Sequence, residues 1–180
     1  MKKNIKALVK EIVPIILGIL IALYIDNWNQ NRKDQKYVDQ MIASMDKELE
    51  ESLEDIKKTL PQQTTLIDSL AFYGKDEQVS IFDVMMKANG IHLPSIKTTS
   101  WKAISTSKLE LMAYKRIRTM TQIQEQKENM LAKCRLLMDF TYQNIKETDS
   151  EKKELVGIMM QDIMVSERDL QAEIEAILED

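Results

Sequence analysis

IVPIILGILIALYI, from Ile12 to Ile25, is fourteen residues without a charge, bounded by Glu11 and Asp26. It is apolar around the whole helical circumference, whereas a helix on a soluble surface shows an apolar stripe. Fourteen residues fall short of the roughly 20 that cross a bilayer, and a run that short also suits a buried core helix. The flanks extend it. Ile5, Ala7, Leu8 and Val9 carry apolar character upstream, where Lys6 and Lys10 would snorkel to headgroups. Downstream, Asn27 to Asn31 (NWNQN) is uncharged, with Trp28 and, one turn earlier, Tyr24 placed as interfacial anchors. Leu8 to Trp28 then makes a span of adequate length, with Glu11 and Asp26 near its ends.

Two soluble alternatives compete with a retained anchor. A secretory signal peptide fits the lysine-rich start, but the run is followed by IDNWNQ and no small-x-small cleavage site. A core helix would need a large soluble domain around it, which the remaining residues are numerous enough to form. Orientation follows the flanking bases: Lys2, Lys3, Lys6 and Lys10 precede the span, and Arg32, Lys33 and Lys36 follow it among Asp26, Asp34 and Asp39. This small bias favours a cytoplasmic N-terminus and a body outside the cytoplasm.

EIVPIILGILIALYIDNWNQNRK also resembles the opening of an uncharacterised family of single-pass bacterial membrane proteins common in the Bacteroidota. Glu11, Gly18, Ile19, Leu20, Ile21, Ala22, Leu23, Asn27, Trp28, Asn29, Arg32 and Lys33 match its pattern, while Pro14 and Asp26 depart from it. A looser similarity lies in TTSWKAISTSKLELM, where Ser107-Lys108 stands in place of a Ser-Gly step. The resemblance implies a single-pass inner-membrane protein and brings no activity or catalytic residues.

The composition is helical: Leu, Ile, Met, Lys, Glu and Gln dominate, with four glycines and three prolines. The length predicts one domain beyond the anchor, so the chain divides into residues 1–30, tail and anchor, and 31–180, an all-α bundle. The net charge of −4 offers no broad basic surface for nucleic acid. A single Cys134 excludes an intrachain disulfide and reads as a small buried residue.

Helices are expected near 31–59, 62–73, 77–88, 99–147 and 150–178. The first continues from the anchor without Pro or Gly until Pro61, which ends it or opens the next. Its seam is Val38, Met41 or Ile42, Met45, Leu49, Leu53, Ile56 and Leu60. Glu48, Glu50, Glu51, Glu54 and Asp55 form a solvated face opposite. Asn89-Gly90 and Pro94 mark a loop, and Thr98 or Thr99 would cap the next helix, with a kink at Ser105 to Ser107. Its long seam includes Ile117, Met120, Ile123, Lys127, Cys134 and Thr141. The last helix starts at Asp149 or Ser150, with Leu155, Ile158, Met159, Ile163, Leu170 and Ile174 inward and a break at Ser166. The seams look too loose for a long dimeric coiled coil, and an elongated antiparallel bundle is expected.

Chemistry is hard to find. His92 is the only histidine, the carboxylate spacings are those of any solvated helix, and there is no Gly-rich phosphate loop. No catalytic, cofactor or metal residue is assigned. Gly18-x-x-x-Ala22 is a small-xxx-small pair suited to close approach of membrane helices. Glu11 and Asp26 either face headgroup water or pair within the membrane. The expectation is a non-enzymatic, membrane-anchored interaction or assembly module that meets lipid and either a second copy or another membrane protein. Loops near His92 would contact that partner. An oligomeric pore with Glu11 at its mouth and a ligand-sensing domain signalling through a partner are the alternatives.

Overall fold

The computed structural model describes residues 2–179, with side chains described from Ile12 onward. The described chain is all-α, 82% helix without a strand. Its elements are α1 (Lys2–Phe72), α2 (Ile81–Lys87), α3 (Thr99–Ser105), a 3-10 turn (Leu109–Leu111), α4 (Tyr114–Gln143) and α5 (Ser150–Leu178).

Three helices carry the core, and each buries a heptad seam. In α1 the buried positions are Met45, Leu49, Ser52, Ile56, Thr59, Gln63, Leu66 and Leu70, in alternating steps of four and three. In α5 they include Lys153, Val156, Met160, Ile163, Glu167, Leu170, Ile174 and Ile177. In α4 they are Met120, Ile123, Met130, Cys134, Leu137 and Thr141, with half-buried Lys127 holding the missing step. A mean spacing of 3.5 keeps each seam on one side of a left-handed supercoil. The seams are therefore stricter than the sequence reading allows, because Ser52, Thr59, Gln63, Lys153 and Glu167 belong to them. Polar side chains hide from a count of apolar ones.

α5 runs antiparallel to both α1 and α4 and packs against each of them. The chain between α2 and α3 also runs antiparallel to α1, and α1 satisfies its backbone. Gln63 Nε2 donates to the His92 carbonyl (3.0 Å), Asp55 accepts from Ser95 N (2.6 Å), and Ser52 Oγ accepts from Lys97 N (2.8 Å). The Glu48 carboxylate accepts from Ser100 N (3.0 Å) and Oγ (2.9 Å). The acidic face expected in solvent is thus partly a rack for this segment. An extended chain has no internal partners, so its amides must find them outside.

Several boundaries differ from the sequence reading. Pro61 neither ends α1 nor opens a helix at 62; α1 runs through it to Phe72. Pro61 and Lys57 are on the exposed face, so the carbonyl that loses its donor is turned toward water. The seam packs on either side, and tertiary burial overrides the proline cost of ~3 kcal/mol. The helix expected over 77–88 is shorter, set by a capping box between Ser80 and Asp83. The one expected over 99–147 is three pieces, broken at the anticipated kink and ending at Gln143. There the hydroxyls of Ser105, Thr106 and Ser107 bond backbone carbonyls of Lys102, Ala103 and Ile104, competing with helix propagation. Thr98 holds the N-cap position of α3 without a capping bond; its Oγ1 accepts from Lys127 Nζ (2.9 Å), and Glu48 of α1 serves α3 instead.

α5 does begin behind an Asp149 cap, which accepts from Lys152 N (2.9 Å). It continues unbroken past Ser166, and its first turns are rotated from expectation. Val156 and Met160 are buried, while Leu155 (41%) and Ile158 (53%) are exposed. The cause is Lys153: its burial fixes which face of these turns packs.

Candidate functional site

Ile12 to Ile25 is exposed on every side, so it is no core helix of this chain. Among the described residues, α1 is the one helix long and apolar enough to cross a membrane. Leu8 to Trp28 covers ~30 Å along the axis, the thickness of a hydrocarbon core. Tyr24 and Trp28 are 74% and 58% exposed, as an interfacial belt requires, and Asp26 is exposed between them. The Glu11 side chain lies outside the described residues. Gly18 has open space where a Cβ would sit. An ideal helix turns 100° per residue, so Gly18 to Val38 is a rotation of about 200°. Gly18 and Ala22 therefore sit on the side of α1 facing away from its own bundle seam.

The bundle begins close behind Trp28. Asp34 pairs with Lys108, whose ammonium also lies 5.7 Å from the Tyr37 ring centroid, and Tyr37 Oη lies 3.3 Å from Ser107 Oγ. Asp34 and Tyr37 follow Trp28 by six and nine residues, about 1.7 and 2.5 helical turns, and the helix between them is unbroken. At the far end, α1 and α5 enclose a groove of about 370 Å³. Ile67, Ala71, Gly157 and Ile158 are among its lining residues, and Lys153 lies at its base. Phe72 stands beside it, 79% exposed.

The residues with chemistry are kept apart. His92 is half-buried, its Nε2 2.9 Å from the Asn89 carbonyl, and its loop is bound along α1. The loop turns through Asn89 and Gly90, both at positive φ, 60° and 96°. No cluster of metal-ligating side chains occurs among the described residues. Cys134 is buried, and burial, helped by the charge of Glu167, raises its thiol to about 11. A thiol held protonated is no nucleophile.

Two ionisable residues that sequence reasoning missed lie inside the seam, each 0% exposed. Lys153 Nζ donates to the Tyr73 (3.0 Å) and Asp76 (2.6 Å) carbonyls of the turn that follows α1, as a second donor beside the Asp76 and Val79 amides. Glu167 Oε1 accepts from Gln63 Nε2 at 2.7 Å. Burial raises the Glu167 carboxyl to about 7, against the opposing hydrogen bond from Gln63. The signal was present in the sequence: Lys153, Met160, Glu167 and Ile174 are spaced by seven. No protein-family model matches the chain, and no curated protein or solved structure matches it either.

Proposed function

We propose that this chain is a non-enzymatic, single-pass membrane protein whose helical bundle is a rigid docking module for another membrane protein. The observation that carries this reading is the continuity of α1 from Lys2 to Phe72. One helix contains both the apolar span and the bundle's longest seam, so rotation or displacement of the span moves the bundle with it. A helix of that length is ~105 Å long and holds the groove well away from the bilayer.

The open Gly18–Ala22 face supports the same reading, since a neighbouring membrane helix can approach it without meeting the bundle. The bundle lies outside the cytoplasm of a bacterial inner membrane in this proposal, following the lysine bias at the N-terminus. The groove between α1 and α5, lined by apolar residues together with Lys75, Glu154 and Gln161, is the second contact, in place of the loop at His92, whose backbone is occupied by α1.

The test is extraction of the full-length chain from its own membrane in mild detergent, with native mass measured and every co-purifying chain identified. A heteromeric complex is expected, and Gly18→Leu should remove the partner while leaving the bundle folded. Glycine at Asn31, Arg32 and Lys33 should leave the partner bound at the span but uncouple it from the bundle. A homogeneous monomer, unchanged by Gly18→Leu, would sink the proposal; a defined homo-oligomer with ion flux in vesicles would transfer it to the pore.

A further inference from the structure

Gln63 on α1 and Glu167 on α5 meet in the bundle interior, both 0% exposed. Gln63 Nε2 donates both its protons, to Glu167 Oε1 (2.7 Å) and to the His92 carbonyl (3.0 Å). Gln63 Oε1 and Glu167 Oε2 are shut from solvent, and no protein group bonds either. With Glu167 ionised, both atoms are acceptors and neither has a donor. Buried polar groups are seldom left so, because each loses its water and gains nothing.

The surrounding groups supply no compensating charge. α4 presents Cys134, whose thiol responds to the Glu167 charge. α1 presents Gln63, and Lys57, six residues before it, pairs with Glu175 at 3.1 Å. The chain between α2 and α3 presents the His92 carbonyl, while the His92 ring is directed to Asn89. Lys127 is taken by Thr98, and Lys133 by Asp162 and Ser166, both at 2.8 Å. On α5 itself the seam neighbours are Met160, Ile163, Met164 and Leu170.

We propose that Glu167 carries a proton on Oε2 and forms with Gln63 an acid–amide latch between α5 and α1, and that losing this proton to solvent loosens α5. A proton there turns Oε2 into a donor and gives Gln63 Oε1 its missing bond, so one O–H satisfies both unpaired atoms. Ionisation removes that bond and leaves a carboxylate among methionines and leucine. The latch joins the groove-forming helix to the helix that contains the apolar span, so proton activity would set how firmly the two are held.

The carboxyl titrates at about 7 in the fold against 4.5 when free. The folded chain therefore keeps a proton that the unfolded chain releases between those values. Stability from the latch is present at the acid end of that interval and is lost as pH rises through about 7. The experiment is amide hydrogen exchange on the full-length chain in detergent, at pH 5.5 and 8.5, corrected for intrinsic rates. Amides in the middle of α5 should open about 30-fold more at the higher pH.

Glu167→Gln mimics the protonated acid, donating to Gln63 Oε1 and accepting from Nε2, and should exchange slowly at both values. Glu154→Gln, an exposed acid on the same helix, should behave as wild type. Equal opening of wild type and Glu167→Gln at both values would overturn the latch. Should Glu167→Gln fail to fold, titration of the folded His92→Asn variant decides. One proton taken up with a midpoint near 7, beyond that of the N-terminal amine, supports the latch; none beyond it between pH 6 and 8 defeats it.

Discussion

Lys153 and Glu167 hold the same heptad position of α5, two repeats apart, and both are sealed from water. Their surroundings differ in kind. Lys153 lies where α1 ends, and its ammonium donates to two carbonyls of the turn behind it, each with a lone pair to spare beside its own backbone bond. The negative end of the α1 dipole faces the same charge. Glu167 lies beside Gln63, in an interior turn of α1, where the backbone is already bonded to itself and no open amide exists to receive a carboxylate. Among the described residues, the Gln63 side chain alone hydrogen-bonds to it. The contrast teaches that a helix bundle tolerates a buried cation near a helix C-terminus as an ion, whereas an acid buried at mid-helix is accommodated by neutralisation.

The largest break in this comparison should come from Lys153→Ala. It removes one of the two donors on each of the Tyr73 and Asp76 carbonyls and leaves a cavity under the end of α1. A hydrogen bond from a charged donor is worth ~1.5–3 kcal/mol and truncating a large buried side chain costs ~2–5 kcal/mol. A loss of about 4 kcal/mol is expected, read as a fall in the urea midpoint at constant slope. The loss should be the same at pH 5.5 and 8.5. A cost that grew with pH would mean that Lys153 compensates Glu167 at a distance, and the two sites would no longer be separate cases.

Next in size is Glu167→Gln, which acts in the opposite direction and only on the alkaline side. The rise from 4.5 to about 7 corresponds to ~3 kcal/mol of penalty for the ionised form. The variant should gain most of that at pH 8.5 and little below pH 4.5, where wild type is protonated in both states. Denaturant midpoints across that range check it. A gain independent of pH would indicate better packing by the amide rather than relief of a buried charge.

How much of this was legible follows the same physics. The apolar run Ile12–Ile25, the Asn89-Gly90 turn, the Asp149 cap and most of the α4 seam stand out because each is a local pattern with a local cause. Pro61 misleads because its local signal is real and is outweighed by burial on either side of it. Lys153 and Glu167 mislead for another reason. A charged residue at a core position is read as surface, and an inward face assigned from apolar residues alone rotates toward Leu155 and Ile158. The periodicity of seven contains the correction, but only to a reader who admits polar residues into the seam. Long-range partners were not legible at all: nothing local announces that Glu48 serves Ser100 or that Gln63 reaches both His92 and Glu167.

The smallest effect should come from a seam residue that is polar but uncharged. Ser52 is 0% exposed and fully occupied: its Oγ donates to the Glu48 carbonyl (2.6 Å) and accepts from Lys97 N (2.8 Å). Ser52→Ala strands one backbone amide near the surface of the seam and gains a few tenths of a kcal/mol in helix propensity. The net loss should be about 1 kcal/mol. It should be equal at pH 5.5 and 8.5, because neither hydrogen bond involves a group that titrates there. Combined with Glu167→Gln, it should add without coupling, since Ser52 lies three turns of α1 from Gln63 and shares no partner with it. If the double variant instead loses the alkaline gain, the loosening at Glu167 reaches α1 as a whole. A proton on one carboxyl would then be felt along the helix that contains the apolar span, which is the behaviour a proton-responsive docking module requires.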